Sequence, residues 1–233
     1  AVLLAPGAAS AADPPPLSAV MEIVGPAQER VAEDPENLGL QYDLSLAYLR
    51  AKRIDEAEGI LRALVRTDEK TWAKAWFDIA AIHAARGETK EALAALKKAR
   101  DLDPGRADYE TGLLLMKLRK FRDAAQSFRS AAANKPELAF EARAQEALAQ
   151  YGLGNYGRAE KMLATLSEAA PDSARRDQAR ELLRLVREAK KADKPWQLFA
   201  TIGAQYDSNV FQNPLQSAGL LQPTGPSQHK EDA

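Results

Sequence analysis

The stretch Trp72–Pro104 reads WAKAWFDIAAIHAARGETKEALAALKKARDLDP. Trp76, Ile79, Ala80 and His83 recur at steps of three and four, one apolar face of a helix. Gly87 follows, a residue that closes helices because it enters the left-handed region without a Cβ penalty. Thr89, Ala92, Leu93, Leu96 and Ala99 then define a second helix, and Pro104 is expected to stop it. Small Ala80 and Ala92 let the two helices approach closely, while Trp76 and Leu96 fill the space around them. The pattern is helix, short turn, helix.

Working outward, the same unit returns. Small residues that open a second helix stand at Ala57, Ala92, Ala124 and Ala159, steps of 35, 32 and 35. Prolines beyond a helix stand at Pro35, Pro104, Pro136 and Pro171, steps of 69, 32 and 35, where 69 is about two units. The unit without its proline ends near Glu69. Two series sharing one step mark a stacked repeat, in which each helix pair buries its apolar side against its neighbours.

The residues at these places resemble the tetratricopeptide repeat, whose pattern is W-x2-L-G-x2-Y, A-x3-F and A-x4-P. The second unit matches it through Trp76, Ile79, Ala80, His83, Ala92, Leu96, Ala99 and Pro104. The first matches through Leu44, Ser45, Tyr48, Ala57, Leu61 and Leu64, and the third through Gly112, Leu115, Ala124, Phe128, Ala131 and Pro136. The fourth carries Tyr156, Ala159, Leu163 and Pro171. There are departures. The third unit is two residues short and holds Asp108 at the tryptophan place. The fourth has Arg143, Glu146 and Gln150 at normally apolar places, which predicts a loosely packed first helix. The four units run from about Leu38 to Ser173. Leu17–Glu33 reads as an upstream helix with Pro26 as a kink. Ala174–Ala192 reads as an amphipathic cap with Ala179, Leu182, Leu183, Val186 and Ala189 on one face. The fold class predicted is all-α: a helix-turn-helix solenoid over 17–194, followed by a strand-like or disordered tail.

The resemblance implies a groove lined by the first helix of each repeat, able to hold an extended peptide or a partner helix. In the first unit its positions are Tyr42, Asp43, Leu46 and Arg50. In the second they are Lys74, Phe77 and Asp78, and in the third Arg106, Tyr109, Glu110 and Lys117. In the fourth they are Gln145 and Tyr151. Rings supply contact area and charges set register. The same faces read equally as solvated helix surface. The clamp with which some family members hold a C-terminal carboxylate needs polar or cationic groups where this chain has Leu46, Asp78 and Glu110, so chaperone tails are not expected as partners.

Composition narrows the chemistry. Among 233 residues there is no cysteine and there are two histidines, which excludes disulfides and thiolate sites and leaves little for zinc or histidine catalysis. Lys plus Arg total 32 against 33 Asp plus Glu, a net charge of −1 with no basic excess for nucleic acid. Gly152-Leu153-Gly154-Asn155-Tyr156-Gly157 spells G-x-G-x-x-G, but a helix precedes it where a dinucleotide fold needs a strand, so it reads as an inter-helix turn. His83 reads as packing. The basic residues of the cap alternate with Asp177, Glu181 and Glu188, a solvated face. No catalytic residue, metal or cofactor is predicted.

Both ends change style. Residues 1–16, AVLLAPGAASAADPPP, read as the end of a secretory signal and a Pro-rich leader, Ala9-Ser10-Ala11 fitting the small-x-small cleavage pattern. The other reading is an Ala/Pro leader without targeting meaning. After Pro195 the period becomes two: Trp196, Leu198, Ala200, Ile202, Ala204 and Tyr206 alternate with their neighbours over one membrane-strand length. The stretch WQLFATIGAQYDSNVFQNP resembles the first barrel strand of outer-membrane proteins that carry a periplasmic tetratricopeptide domain, such as surface lipoprotein assembly modifiers and exopolysaccharide export porins. That resemblance implies a periplasmic, outer-membrane-associated scaffold for a protein partner or exported substrate. The alternative is a soluble adaptor without a membrane role.

Overall fold

The computed structural model describes residues 17–68 and 72–191. The leader at 1–16 and the strand-like tail at 195–233 lie outside the described residues. Among those described there are ten α-helices and one 3-10 turn. They are α1 (Leu17–Glu33), α2 (Leu38–Arg50), α3 (Ile54–Thr67), α4 (Ala73–Ala85), α5 (Thr89–Arg100), α6 (Pro104–Lys117), α7 (Phe121–Asn134), α8 (Ala139–Gly152), α9 (Tyr156–Glu168) and α10 (Ser173–Lys191), with the turn at Pro136–Leu138. The chain divides into two compact units between Leu64 and Val65, within α3.

Four of the inter-helix turns are one device. Lys52, Gly87, Arg119 and Gly154 have φ of 57°, 78°, 58° and 80°. They recur at steps of 35, 32 and 35. At each, two amides bond back into the preceding helix. In the second unit the Gly87 amide donates to the Ala84 carbonyl and the Glu88 amide to the His83 carbonyl. The Arg53, Lys120 and Asn155 amides donate to the carbonyls of Tyr48, Leu115 and Gln150 in the same way. This is the Schellman closure, which satisfies the last helical carbonyls and turns the chain sharply. Lys52 and Arg119 hold with side chains a conformation that Gly87 and Gly154 hold without one.

Prolines play a different part from the one expected. Pro104 is the first residue of α6 and Pro136 opens the 3-10 turn. At that position the missing amide would have had no helical partner, so proline starts the next element. Asp103 completes the α6 start by accepting a bond from the Arg106 amide at 3.0 Å. Pro26 sits inside α1, which continues through it.

In the first unit, Val20, Val24 and Ala27 of α1 pack against Leu44, Ala47 and Ala51, with Tyr48 and Ile60 at the margin. In the second unit, contacts join sequence neighbours: α4 with α5, α5 with α6, α6 with α7, α7 with α8, α8 with α9 and α9 with α10. Its apolar clusters are correspondingly local. One holds Leu113, Leu115, Ala124, Ala125, Phe128 and Ala149; another runs from Ala144 and Tyr151 through Leu163 to Leu183 and Val186. Ala57, Ala92, Ala124 and Ala159, the residues that revealed the repeat, are fully buried. Gly112 lets α6 and α7 meet, since a Cβ there would lie 2.6 Å from the Phe128 ring.

The polar departures pack well, contrary to the expected looseness of α8. Nearly every residue from Ala142 to Tyr151 is buried. The Glu146 carboxylate accepts two bonds from Arg129 on α7, at 2.6 and 3.1 Å. The Gln150 oxygen accepts one from Asn155 at 2.9 Å. Arg143 faces solvent. Asp108, at the tryptophan place of α6, is likewise buried, ion-paired with Arg100 at 2.8 Å and accepting a bond from Asn134 at 3.3 Å. A buried polar group is tolerated when each lost water contact is replaced, and here partners from the adjacent helix replace them.

Candidate functional site

The first helices of the second unit's repeats place equivalent residues 32 and 35 positions apart. Phe77, Tyr109 and Ala144 share one position, and Asp78, Glu110 and Gln145 the next. The structure sorts the expected groove residues by burial. Phe77, Asp78, Gln145 and Tyr151 are buried in the second unit, and Tyr42 and Leu46 in the first. Tyr109, Arg106 and Glu110 are half-buried; Asp43, Arg50, Lys74 and Lys117 are exposed. The six buried side chains shape the surface from beneath, and the other seven are the ones that meet solvent.

Several contacts explain this division. Tyr151 lies in the α8–α9–α10 cluster, its ring centre 4.9 Å from that of Tyr156. Tyr109 meets Phe128 edge-on at 5.7 Å, so its ring leans towards the α6–α7 core. Asp43 lies 3.9 Å from Arg30 in an exposed ion pair. Lys74 sets its ammonium 5.1 Å from the Trp72 ring centre.

The face shared by α4 and α6 carries the densest chemistry. The Arg106 guanidinium of α6 lies over the Phe77 ring of α4, 4.2 Å from its centre, a cation–π contact. Burial pushes the Glu110 carboxyl above the usual glutamate range; Arg106 draws it down, and the negative charge of Asp78 raises it further. Aromatic, cation and two carboxylates therefore act on one another across two helices. The sequence named all four residues without pairing Asp78 with Glu110, although their shared place in consecutive repeats was the available signal.

Elsewhere, two features of the sequence take structural places. His83 is buried, with Nδ1 against the Glu88 carboxylate at the α4–α5 turn. In the G-x-G-x-x-G stretch, Gly152 ends α8 with a Cβ position 2.6 Å from the Phe121 ring, Gly154 is the left-handed turn, and α9 begins at Tyr156. A cleft of about 400 Å³ between α5, α6 and α7 is lined by Lys97, Arg100, Asp108, Thr111 and Ser127 among others, and Arg100 and Asp108 are paired with each other across it. Among the described residues no three His, Asp or Glu side chains gather as a metal would require. No helix among them is long and apolar enough to cross a membrane.

Family models described as tetratricopeptide repeat match residues 28–77, 73–106 and 109–174. The chain is a tetratricopeptide repeat protein. No curated protein matches its sequence. Its fold is similar to that of a tetratricopeptide repeat protein from Parabacteroides merdae, at 19% identity and a TM-score of 0.60, covering 82% of this chain and 73% of that one. It is similar also to MamA from Desulfovibrio magneticus, at 17% identity and a TM-score of 0.54, covering 75% and 98%. A further MamA structure aligns at 20% identity and a TM-score of 0.51, covering 65% and 90%. At these identities the likeness is one of fold. Tetratricopeptide repeats are protein-interaction scaffolds, and that much of the function follows from the family.

Proposed function

We propose that this chain is a non-catalytic periplasmic scaffold whose repeat faces recruit a protein partner or substrate to an outer-membrane barrel used for secretion or export. The observation that carries the scaffold reading is the α4–α6 face, where Arg106 of α6 lies over the Phe77 ring of α4 and the pairs Lys74 and Arg106, Phe77 and Tyr109, and Asp78 and Glu110 hold equivalent places in consecutive repeats. Such a face offers ring area and fixed charge in register with an extended chain. The location rests on the resemblance of residues 1–16 to a secretory signal and of 196–214 to a first barrel strand. The runner-up is a soluble adaptor with no membrane role.

Two measurements test this reading, the first its location and the second its binding face. A reporter fused behind the native N-terminus should appear in the periplasm; retention in the cytoplasm rejects the location. Tyr109→Ala combined with Lys117→Ala should weaken partner capture at least tenfold, with helical content by circular dichroism unchanged. Undiminished capture would remove this face from the function.

A further inference from the structure

Among the described residues of the second unit, the large apolar side chains exposed to solvent are Leu118 and Leu153. They stand 35 residues apart, each at the C-cap of a first helix, and so hold one place in consecutive repeats. The turns they belong to abut. The Phe121 ring at the start of α7 lies so close to Gly152, the last residue of α8, that a Cβ there would sit 2.6 Å from it. Tyr156, the equivalent of Phe121, opens α9, and both rings are half-buried. Around these apolar tips the charge is of one sign. Arg119, Lys120, Arg122 and Arg158 are exposed, and among the described residues none of them has an ion pair. Asp123 is the only acid in 118–123 or 153–158. By contrast Arg175, Arg184 and Arg187 on α10 are each paired with a carboxylate. Three of the unpaired cations also stand where they cost stability. Lys120 is the N-cap of α7, Arg122 lies in its first turn and Arg158 in the first turn of α9, at the positive end of the helix dipole. The starts of α3 and α5 carry Asp55, Glu56, Glu88 and Glu91 instead. A cluster that breaks a local rule without a compensating contact inside the fold is explained by what meets it from outside.

We propose that the edge formed by the α6–α7 and α8–α9 turns docks on an anionic lipid surface, with Arg119, Lys120, Arg122 and Arg158 on the headgroup phosphates and Leu118 and Leu153 in the interface beneath them. Charge complementarity identifies the occupant as anionic. The leucines identify it as lipid, because the phosphates of a nucleic acid would meet the cations and leave both apolar tips in water. Helix-closing turns present side-chain tips, the form that a surface rather than an extended chain accepts. This goes beyond the scaffold reading and stands without it, since it uses none of the residues of the α4–α6 face.

The test sediments the full chain with vesicles of phosphatidylcholine and phosphatidylglycerol in equal parts, and with phosphatidylcholine alone, where binding measures what the rest of the chain contributes. Binding to the anionic vesicles should be about tenfold tighter or more, and should weaken as salt rises. Lys120→Glu with Arg122→Glu should remove that preference. Helical content should be kept and the urea midpoint should stay or rise, because acids suit a helix N-terminus. Leu118→Ser with Leu153→Ser should weaken binding to the anionic vesicles about threefold or more, again with helical content kept. Equal binding to both vesicles, or a preference that survives the charge reversal, overturns the proposal. A preference lost on charge reversal but indifferent to the leucine change marks a bare anion site, suited to nucleic acid or an acidic protein, and overturns the lipid assignment. A fall in the urea midpoint of the charge-reversed protein would show that these cations serve the fold, and overturns it as well. None of these results bears on partner capture by the α4–α6 face, which is judged by its own measurements.

Discussion

Lys52 and Arg119 do work that the other two repeats assign to glycine. All four residues close a helix in the left-handed region, where an L side chain costs about 1–2 kcal/mol. Replacing Lys52 or Arg119 by glycine removes that cost but adds freedom to the unfolded chain, which returns part of the gain. The expected net effect is stabilisation of ~0.5–1 kcal/mol for each change, read as a shift in the urea midpoint. A fall in midpoint would mean that their side chains contribute more than their backbones cost. These two positions were illegible in the sequence, since nothing in a lysine or arginine announces positive φ. They emerge once Gly87 and Gly154 are set at the same repeat place. Asp108 and Glu146 teach a related lesson. Read singly they are polar errors in an apolar pattern; they are resolved by Arg100, Asn134 and Arg129, which stand on the adjoining helices.

At the scale of the element, α10 shows how a terminal helix is held. Its apolar stripe, Ala179, Leu183 and Val186, packs into the α9 cluster, and beside it Glu160 of α9 accepts bonds from Arg187 at 2.8 Å and Lys190 at 3.3 Å. Those bonds, that from Arg187 foremost, hold the Glu160 carboxyl below the usual glutamate range. A carboxyl lowered on folding stabilises the native state above its unfolded value, and that contribution disappears as pH falls through the folded value. Thermal melts taken from neutral pH down to ~pH 3 should therefore show wild type losing more than Glu160→Gln over the carboxylate range. Parallel curves for the two proteins would show that the bridges add nothing. The amphipathic stripe of α10 was readable from spacing alone. Its ionic partner on α9 lies nearly thirty residues away and required the packed pair.

At the scale of the molecule, packing within the second unit passes from one helix to the next, and stability should follow. In the second unit α7 is flanked by α6 and α8, while α10 rests mainly on α9. A nearest-neighbour array opens from elements with one partner before those with two. Native-state hydrogen exchange should find the amides of α7 and α8 the slowest in the unit and those at the end of α10 among the fastest; uniform protection would indicate a single cooperative core instead. Periodicity by itself determined the repeat, the all-helical class and the buried alanines, because a 3.6-residue period and a recurring small residue are local facts of the chain. Only the tertiary structure decided which of the expected groove residues are surface. Phe77, Asp78, Tyr42, Leu46, Gln145 and Tyr151 are buried while Arg106, Tyr109 and Glu110 remain reachable. A helix has one periodicity but several neighbours, and which side of each residue a neighbour covers is set by how the helices pack.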